Sequence, residues 1–313
     1  MPSLSYLLSR LLQIVPTFLL VMVFIFLFMR LLPGDPAIAM AEAKASDQQL
    51  VEIRERLGLN EPLPVQFGYF VKNTLSGDLG RSILMKRPVM EVILERLPVT
   101  IYLSLYAVAL SVLVAAPLAL LAATRVNSTT DVAIRGVFQI GLSMPVFYIG
   151  LLLLTVLGAK LRLFPVGGYG RSFFANLYHL ALPAMSIALY TSAILMRNLR
   201  ASLVEVLDAE FVQFARAKGL ARRVVLSRHV LRNALVSAVT LLGLSIGNLM
   251  SGTLVTETVF AVPGVGRLML EAIFARDYPL IQGLTLTFAV IVSLTFLATD
   301  LVQSWLDPRL RQA

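Results

Sequence analysis

Six long blocks without a single acidic or basic side chain dominate this sequence and constrain its fold more than any other feature. They cover residues 11–29, 97–124, 136–159, 180–196, 233–256 and 280–299. A helix needs about 20 apolar residues to cross the hydrocarbon core of a bilayer; the fourth block is slightly short unless residues 176–178 join it. The blocks predict an all-α, polytopic membrane protein with six transmembrane helices.

The composition supports a location in lipid. Hydrophobic residues make up 58% of the chain and charged residues 14%, against roughly 45–50% and about 25% in soluble domains. Prolines at positions 16, 117, 145 and 183 lie within the blocks, but neighbouring helices can satisfy the backbone groups that a proline frees. The first block exceeds the roughly 7–15 residues of a signal-peptide core and precedes no small-residue cleavage site, so an uncleaved helix is expected.

The blocks divide the chain into four parts. We expect an N-terminal transmembrane helix (1–32), an extracytoplasmic loop region with short helices (33–96), a five-helix transmembrane core (97–305) that includes the cytoplasmic loop 197–233, and a cytoplasmic tail (306–313). In the outer region, Ser46 and Gln49 fit a capping box and Gly58 fits a helix end. This region either packs on the bundle as a cap or docks an external partner.

Basic residues set the expected orientation. With the N-terminus inside, the inner segments hold thirteen Lys and Arg residues and the two short outer loops hold five. The positive-inside rule then places both termini in the cytoplasm. The inner segments also carry most of the formal net charge of +9. Insertion polarity and anionic lipids explain such an excess beside membrane spans, so we expect a lipid membrane and no nucleic acid as the partner.

Motifs of catalysis are missing from the sequence. There is no cysteine, which excludes a disulfide scaffold and a thiolate metal site. The two histidines, His179 and His229, lie on opposite sides of the predicted membrane. None of the five lysines is followed by Ser or Thr, so the chain carries no phosphate-binding loop. We expect no enzymatic activity, no cofactor and no metal site here, with any ATP hydrolysis on a separate chain.

The inner loop between the fourth and fifth blocks is the most informative stretch. Its pattern predicts two helices separated at Gly219, because glycine readily adopts the left-handed conformation that ends a helix. The apolar face predicted for the second helix consists of Leu220, Val224, Leu231 and Leu235. Such an amphipathic helix can lie in the lipid interface, pack against the bundle, or fit a groove on a partner protein.

Seven motifs carry a family resemblance. In the inner loop, Ala215-Arg-Ala-Lys-Gly219 precedes His229-Val-Leu-Arg-Asn-Ala234. The others are Leu-Leu-Pro-Gly-Asp-Pro (31–36), Gly-Asp-Leu-Gly-Arg-Ser (77–82), Ser-Met-Pro-Val-Phe (143–147), Thr-Glu-Thr-Val-Phe with Pro-Gly-Val-Gly (256–266), Arg-Asp-Tyr-Pro with a following glutamine (276–282) and Asp-Pro-Arg-Leu-Arg (307–311). Taken in their order along the chain, they resemble ABC importer permeases of the dipeptide/oligopeptide (peptide/nickel) family. The inner pair resembles that family's EAA loop, although Gln213 and Phe214 replace Glu-Ala and Arg232 replaces a proline; both departures are ordinary for the peptide branch.

The resemblance implies a type I ABC importer permease that works by alternating access in the cytoplasmic (inner) membrane of a bacterium. It implies as partners a second homologous permease subunit, two cytoplasmic ABC ATPase subunits and an extracytoplasmic solute-binding protein. The inner loop would be the coupling helix that docks on the ATPase, with the expected docking residues Phe214, Ala215, Arg216, Lys218, Gly219, Leu220 and Val224. The implied substrate is a di- or oligopeptide, with nickel chelates or glutathione as alternatives.

The fifth block suggests a translocation path. A stripe of small residues, favourable for close helix packing, consists of Gly243, Gly247 and Ser251. At 100° per residue the opposite side carries Ser245, Asn248 and Gly252. Our hypothesis is that this polar face lines the path; the alternative is a hydrogen bond from Asn248 to a neighbouring helix.

Two other classes of protein remain open from the residues alone. One is a secondary transporter or channel whose inner loop is anchored to lipid, and the other is a structural membrane scaffold. Ion-driven transporters more often carry ionisable residues inside their spans, whereas Glu257 and Asp300 lie only at span ends. An ATPase that co-purifies in detergent favours the importer, uptake driven by an ion gradient favours the first rival, and deletion without an uptake phenotype favours the scaffold.

Overall fold

The described part of the chain is built from helices. The structure is a computed structural model that describes residues 4–31, 48 and 60–306. Its helices are α1 (Leu4–Leu31), α2 (Leu63–Leu75), α3 (Val89–Ala123), α4 (Thr129–Ser143), α5 (Val146–Leu153), α6 (Phe173–His179), α7 (Ala181–Asp208), α8 (Glu210–Ala217), α9 (Arg222–Val224), α10 (Arg232–Val259), α11 (Val265–Phe274) and α12 (Tyr278–Leu306). Two π-helical turns, Leu154–Lys160 and Val225–Leu231, continue α5 and join α9 to α10. Within these residues β-pairing is limited to one isolated bridge, which confirms the all-α prediction.

Among the described residues, three to five elements are long and apolar enough to cross a membrane. Three single helices meet that condition within α1, α3 and α12. Two more are bent pairs: α4 with the α5 segment, at 99°, and α6 with α7, at 57°. The block 233–256 lies inside α10, a 28-residue helix that is about 42 Å long at 1.5 Å per residue. A polytopic membrane fold is thus confirmed, while the count of six spans stays a prediction.

The block 136–159 is not one helix as predicted. It breaks at Met144, which is extended with φ −102° and ψ 133°, and Pro145 precedes α5. Proline disfavours helical geometry in the residue before it and has no N–H to donate. Pro16 and Pro117 remain inside α1 and α3. Pro145 therefore stands at a break, whereas Pro16 and Pro117 do not interrupt their helices.

The centre of the bundle is the close packing of α3 against α7. Ala107, Ser111 and Ala115 on α3 are buried, as are Ala184 and Ala193 on α7. The hydroxyl of Ser111 donates to the carbonyl of Ala107 at 2.7 Å. Small side chains let two helix backbones approach closely, which is how helices associate in lipid.

The N-terminal helix packs on the last one, with α2 beside both. Phe26 of α1 contacts Phe67 and Phe70 of α2, with ring centroids 5.4 and 5.9 Å apart. Met22 and Leu286 are buried in the same cluster. The helix predicted to begin at the Ser46 capping box falls outside the described residues except for position 48. The four-part division of the chain also stays a prediction.

Candidate functional site: the two ends of the bundle

Polar and exposed residues gather at two ends of the bundle. We call the end formed by residues 124–131 and 200–231 the loop end, and the end formed by residues 77–88 and 257–280 the opposite end. The 35-residue helix α3 connects them over about 50 Å. The seven expected docking residues all lie at the loop end.

Helix α8 is held at the loop end by one narrow apolar stripe. Ala209 is extended, with φ −66° and ψ 144°, and turns the chain from α7 into α8. Val212 and Ala215, three residues apart, are buried in the same core cluster as Leu203 of α7. Ala215 therefore packs inward, whereas Phe214 is 63% exposed.

The chain turns at Gly219 as the sequence predicts. Gly219 has φ +78°, its N–H donates to the carbonyl of Arg216 at 2.9 Å, and the N–H of Leu220 donates to Ala215 at 3.3 Å. These bonds close the end of α8 in the manner of a Schellman motif. A side chain at position 219 would meet open space, so glycine is needed here for its backbone conformation rather than for lack of room.

An exposed apolar surface surrounds this turn, and we call it the docking patch after the role that the sequence predicts for it. It consists of Phe211, Phe214, Leu220 and Val224. The ammonium group of Lys218 lies 4.6 Å from the centre of the Phe214 ring. Exposed basic residues border the patch: Arg216, Lys218, Arg222 and Arg223. Sequence reasoning missed Phe211, although its spacing of three residues from Phe214 places both on one helical face.

The apolar face predicted for the second loop helix is split in the structure: its first two residues are exposed, while Leu231 and Leu235 are partly buried against the core cluster. Leu220 and Val224 are exposed, while Val225 and Val230 are buried. The cause is the π-helical turn Val225–Leu231: its i→i+5 pattern brings Val230, rather than His229, under Val225. Leu220 and Val224 form the part of the docking patch that follows Gly219.

A buried ion pair lies at the loop end. Asp131 of α4 is fully buried and accepts hydrogen bonds from Arg200 of α7, at 2.6 Å from Nε and 2.7 Å from the terminal nitrogen. Arg135 approaches the same carboxylate at 3.3 Å. Sequence reasoning did not select Asp131, although Ser128 three residues before it is the signal of a helix start.

The opposite end contains two buried carboxylates whose partners are neutral. Glu257 accepts from the hydroxyl of Thr100 at 2.6 Å and from the backbone N–H groups of Gly266 and Arg267. It thereby caps α11 from another helix. At Gly264 and Gly266 an added Cβ would overlap the Glu257 side chain. The Thr-Glu-Thr-Val-Phe and Pro-Gly-Val-Gly motifs thus meet in one hydrogen-bonded cluster.

The second buried carboxylate joins two further motifs. Asp277 accepts from the Ser82 hydroxyl at 2.5 Å and from the N–H of Leu84 at 2.9 Å. It also accepts from the N–H of Leu280 at 3.2 Å, as the N-cap of α12. A Cβ at Gly80 would touch Pro279 at 3.7 Å. The Gly77–Ser82 and Arg276–Pro279 motifs are therefore in contact.

The residues expected along the path are only partly described. The backbones of Ser245, Asn248 and Gly252 lie in α10, but their side chains fall outside the described residues. A Cβ at Gly243 would overlap Thr299 of α12, so α10 and α12 approach closely at this member of the small-residue stripe. The path stays a hypothesis.

Comparison with known proteins places the chain in a family. The family described as "Binding-protein-dependent transport system inner membrane component" matches residues 115–312, and its N-terminal companion matches residues 3–104. The chain is 39% identical over 309 residues to a probable peptide ABC transporter permease protein of Sinorhizobium fredii, covering 98% of this chain and 99% of that protein.

Two further relatives differ in the substrate of their names. A glutathione transport system permease protein of Pectobacterium atrosepticum is 38% identical, and a dipeptide transport system permease protein of Alkalihalophilus pseudofirmus is 34% identical. Each alignment covers 98% of this chain and 99% of the relative. Substrate identity therefore varies among proteins that are about equally similar to this one.

Solved structures share the fold. An inward-facing structure of the MetNI methionine ABC transporter matches with a TM-score of 0.54 and 14% identity, covering 70% of this chain and 97% of that chain. The crystal structure of an amino acid ABC transporter with histidines matches with a TM-score of 0.50 and 17% identity, covering 65% and 92%. The type I ABC importer permease fold expected from the sequence is thereby confirmed.

Proposed function

The chain belongs to the family of binding-protein-dependent transport system inner membrane components, the permease subunits of ABC transporters, and we propose that it translocates di- or oligopeptides by alternating access. Relatives named for peptide and dipeptide transport, alignable over 98% of the chain, support this substrate class. The glutathione permease relative supports glutathione, itself a small peptide, as the second candidate. Nickel chelates remain the third.

The docking patch is the observation that carries the mechanism. A helix whose exposed side is aromatic and whose border is basic fits an apolar groove with an acidic rim, in helix-in-groove fashion. Phe214, Leu220 and Val224 would contact a cytoplasmic ATPase, with Arg216 and Lys218 at the rim. Since Ala215 is buried, it would serve by packing α8 on the bundle, and Gly219 by closing the turn.

The proposed assembly follows from this assignment. Two ATPase subunits bind two homologous permease subunits, and a solute-binding protein delivers the peptide from outside. Both termini of the chain then lie in the cytoplasm, as the basic residues of its inner segments predict. ATP brings the ATPases together, and the docking helices pass that movement into the membrane helices.

Co-purification with the ATPases tests the docking assignment. We expect Phe214→Asp to abolish retention of the ATPase in detergent, because the carboxylate replaces a 63% exposed ring at the centre of the patch. Phe174→Asp is the matched control, since Phe174 is also an exposed phenylalanine, 79% accessible. It lies in α6, before α7, and is not part of the docking patch. Retention of the ATPase by the Phe214 variant would refute the assignment.

A bulky residue at the turn tests coupling separately from binding. Gly219→Trp is expected to leave the permease inserted at normal abundance but to uncouple transport from ATP hydrolysis, because φ +78° suits glycine and disfavours a side chain. Normal uptake of a peptide mixture by this variant would contradict the docking assignment.

The proposed path has its own test. Cysteines at Ser245, Asn248 and Gly252 can be labelled with water-soluble thiol reagents against a background that has no cysteine. Labelling that depends on the nucleotide state is expected if this face lines the path. Absence of labelling in every nucleotide state would remove it.

A further inference from the structure

We propose that Asp131 and Arg200 form a positioning pair that fixes the docking helix α8 relative to α3 and α4, so that movement of the ATPase reaches the membrane helices. This role rests on the proposed docking function of α8. The pair binds no substrate or nucleotide. It acts by fixing the orientation of α7 relative to the turn between α3 and α4. Helix α7 in turn leads into α8.

The geometry of the pair is directional. Both nitrogens of the Arg200 guanidinium that face Asp131 are used, at 2.6 and 2.7 Å from separate carboxylate oxygens. Such a bidentate arrangement fixes orientation as well as distance. Asp131 is fully buried and the Arg200 side chain is 17% exposed, so water competes little for either group.

Asp131 is itself a rigid point of the fold. Ser128 caps α4 by accepting the N–H of Asp131 at 3.2 Å. The carboxylate in turn accepts the N–H of Asn127 at 3.0 Å, and Asn127 has φ +61°. The N-terminus of a helix favours a negative charge. The turn from α3 into α4 and the carboxylate therefore move together.

Arg200 is the corresponding fixed point on α7, the helix that leads into the docking helix α8. Eight residues, about 12 Å of helix, separate it from Asp208, where α7 ends. Ala209 alone then joins α7 to α8. With Leu199 and Leu203 buried beside it, the segment from Arg200 to α8 is a continuous, packed element.

Stability alone is a weak reason for this pair. Replacing a buried ion pair by well-packed apolar residues is often neutral or stabilising, whereas such pairs do specify one arrangement among several in attested cases. The pair fixes α7 relative to α4, whereas an apolar contact, which is not directional, would allow the two helices to shift against each other. Its expected effect is therefore on the transfer of movement, beyond any effect on abundance.

The test compares Arg200→Lys with Arg135→Ala in the complete transporter, reconstituted in vesicles with its binding protein. Lysine keeps the charge but cannot form the two-pronged contact, while Arg135→Ala removes the other, 47% exposed partner of the same carboxylate. The readouts are the stimulation of ATP hydrolysis by binding protein and the uptake per ATP hydrolysed of a mixture of labelled di- and trialanine.

We expect Arg200→Lys and Asp131→Asn to reduce two ratios by roughly fivefold or more: the stimulation of ATP hydrolysis by binding protein, and the uptake per ATP hydrolysed. Both are measured per complex, and the ATPase should still be retained in detergent. Arg135→Ala is expected to stay within about twofold of the parent, as an exposed pair should. Ratios measured per retained complex are insensitive to a lower yield, so a purely structural role would leave them unchanged.

Two different failures can be told apart. If Phe214→Asp releases the ATPase while Arg200→Lys and Asp131→Asn keep the parental ratios, the docking function stands and the positioning pair is refuted. If Phe214→Asp retains both ATPase and coupling, the docking function itself fails. An equal loss in Arg135→Ala and Arg200→Lys would refute the specific two-pronged contact.

Discussion

The loop end and the opposite end of the bundle treat buried carboxylates in different ways. At the opposite end, Glu257 and Asp277 are held by hydroxyls and backbone N–H groups that cap helices. At the loop end, Asp131 is held by two arginines and one backbone N–H group. Both arrangements satisfy the carboxylates within the chain, but the loop end uses charged partners where the opposite end uses neutral ones.

Removing the charged partner at the loop end should produce the largest loss of stability. We expect Asp131→Ala to lower the free energy of unfolding by about 3 kcal/mol, the low end of the cost of breaking a buried pair, because the Arg200 side chain is 17% exposed and keeps some access to water. Denaturation in mixed micelles measures this effect. A loss no greater than that of Arg135→Ala would contradict the buried character of the pair.

A neutral donor at the opposite end should matter less. We expect Thr100→Val to cost about 1–3 kcal/mol, because the hydroxyl donates to Glu257 and accepts from the N–H of Val265. The same denaturation experiment applies, with Thr240→Val as the control at an exposed helical threonine. An effect larger than that of Asp131→Ala would reverse the comparison between the two ends.

A substitution in the turn at Gly219 should have a smaller effect on the free energy of unfolding, and that effect should come from the backbone. Gly219→Ala is expected to cost about 1–2 kcal/mol, because φ +78° brings an L-residue's Cβ too close to the following carbonyl. Gly68→Ala is the control: Gly68 lies inside α2 with open space around it, and alanine there should be neutral or stabilising. Equal effects at both glycines would remove the conformational explanation.

An exposed ion pair at the opposite end should have the smallest effect. Arg87 bonds Glu95 at 2.9 Å, but both side chains are more than half exposed. Arg87→Ala should therefore change the free energy of unfolding by at most about 1 kcal/mol. A melting curve that shifts with Arg87→Ala but not with Asp131→Ala would show that burial is not what separates the two kinds of pair.

Much of this architecture can be predicted from local sequence signals. Uncharged blocks locate the long helices, and Gly219 marks the end of α8 because few other residues adopt its backbone conformation. The signal fails where the outcome depends on distant partners. Asp131 looks like an ordinary first-turn acid, since Arg200 is 69 positions away. The burial of Val225 and Val230, five residues apart, depends on a π-helical turn that a regular 3.6-residue period does not predict.

The π-helical turn Val225–Leu231 means that the chain entering α10 contains one residue more than a regular helix of the same path would need. Insertions and deletions, rather than substitutions, are the changes to which it is most sensitive. Deleting one residue there would restore regular winding and rotate the segment before it by about 100° relative to α10. Different side chains of the loop would then face its surroundings, although the other residues would be unchanged. The number of residues in the π-helical turn therefore sets the orientation of the loop relative to α10.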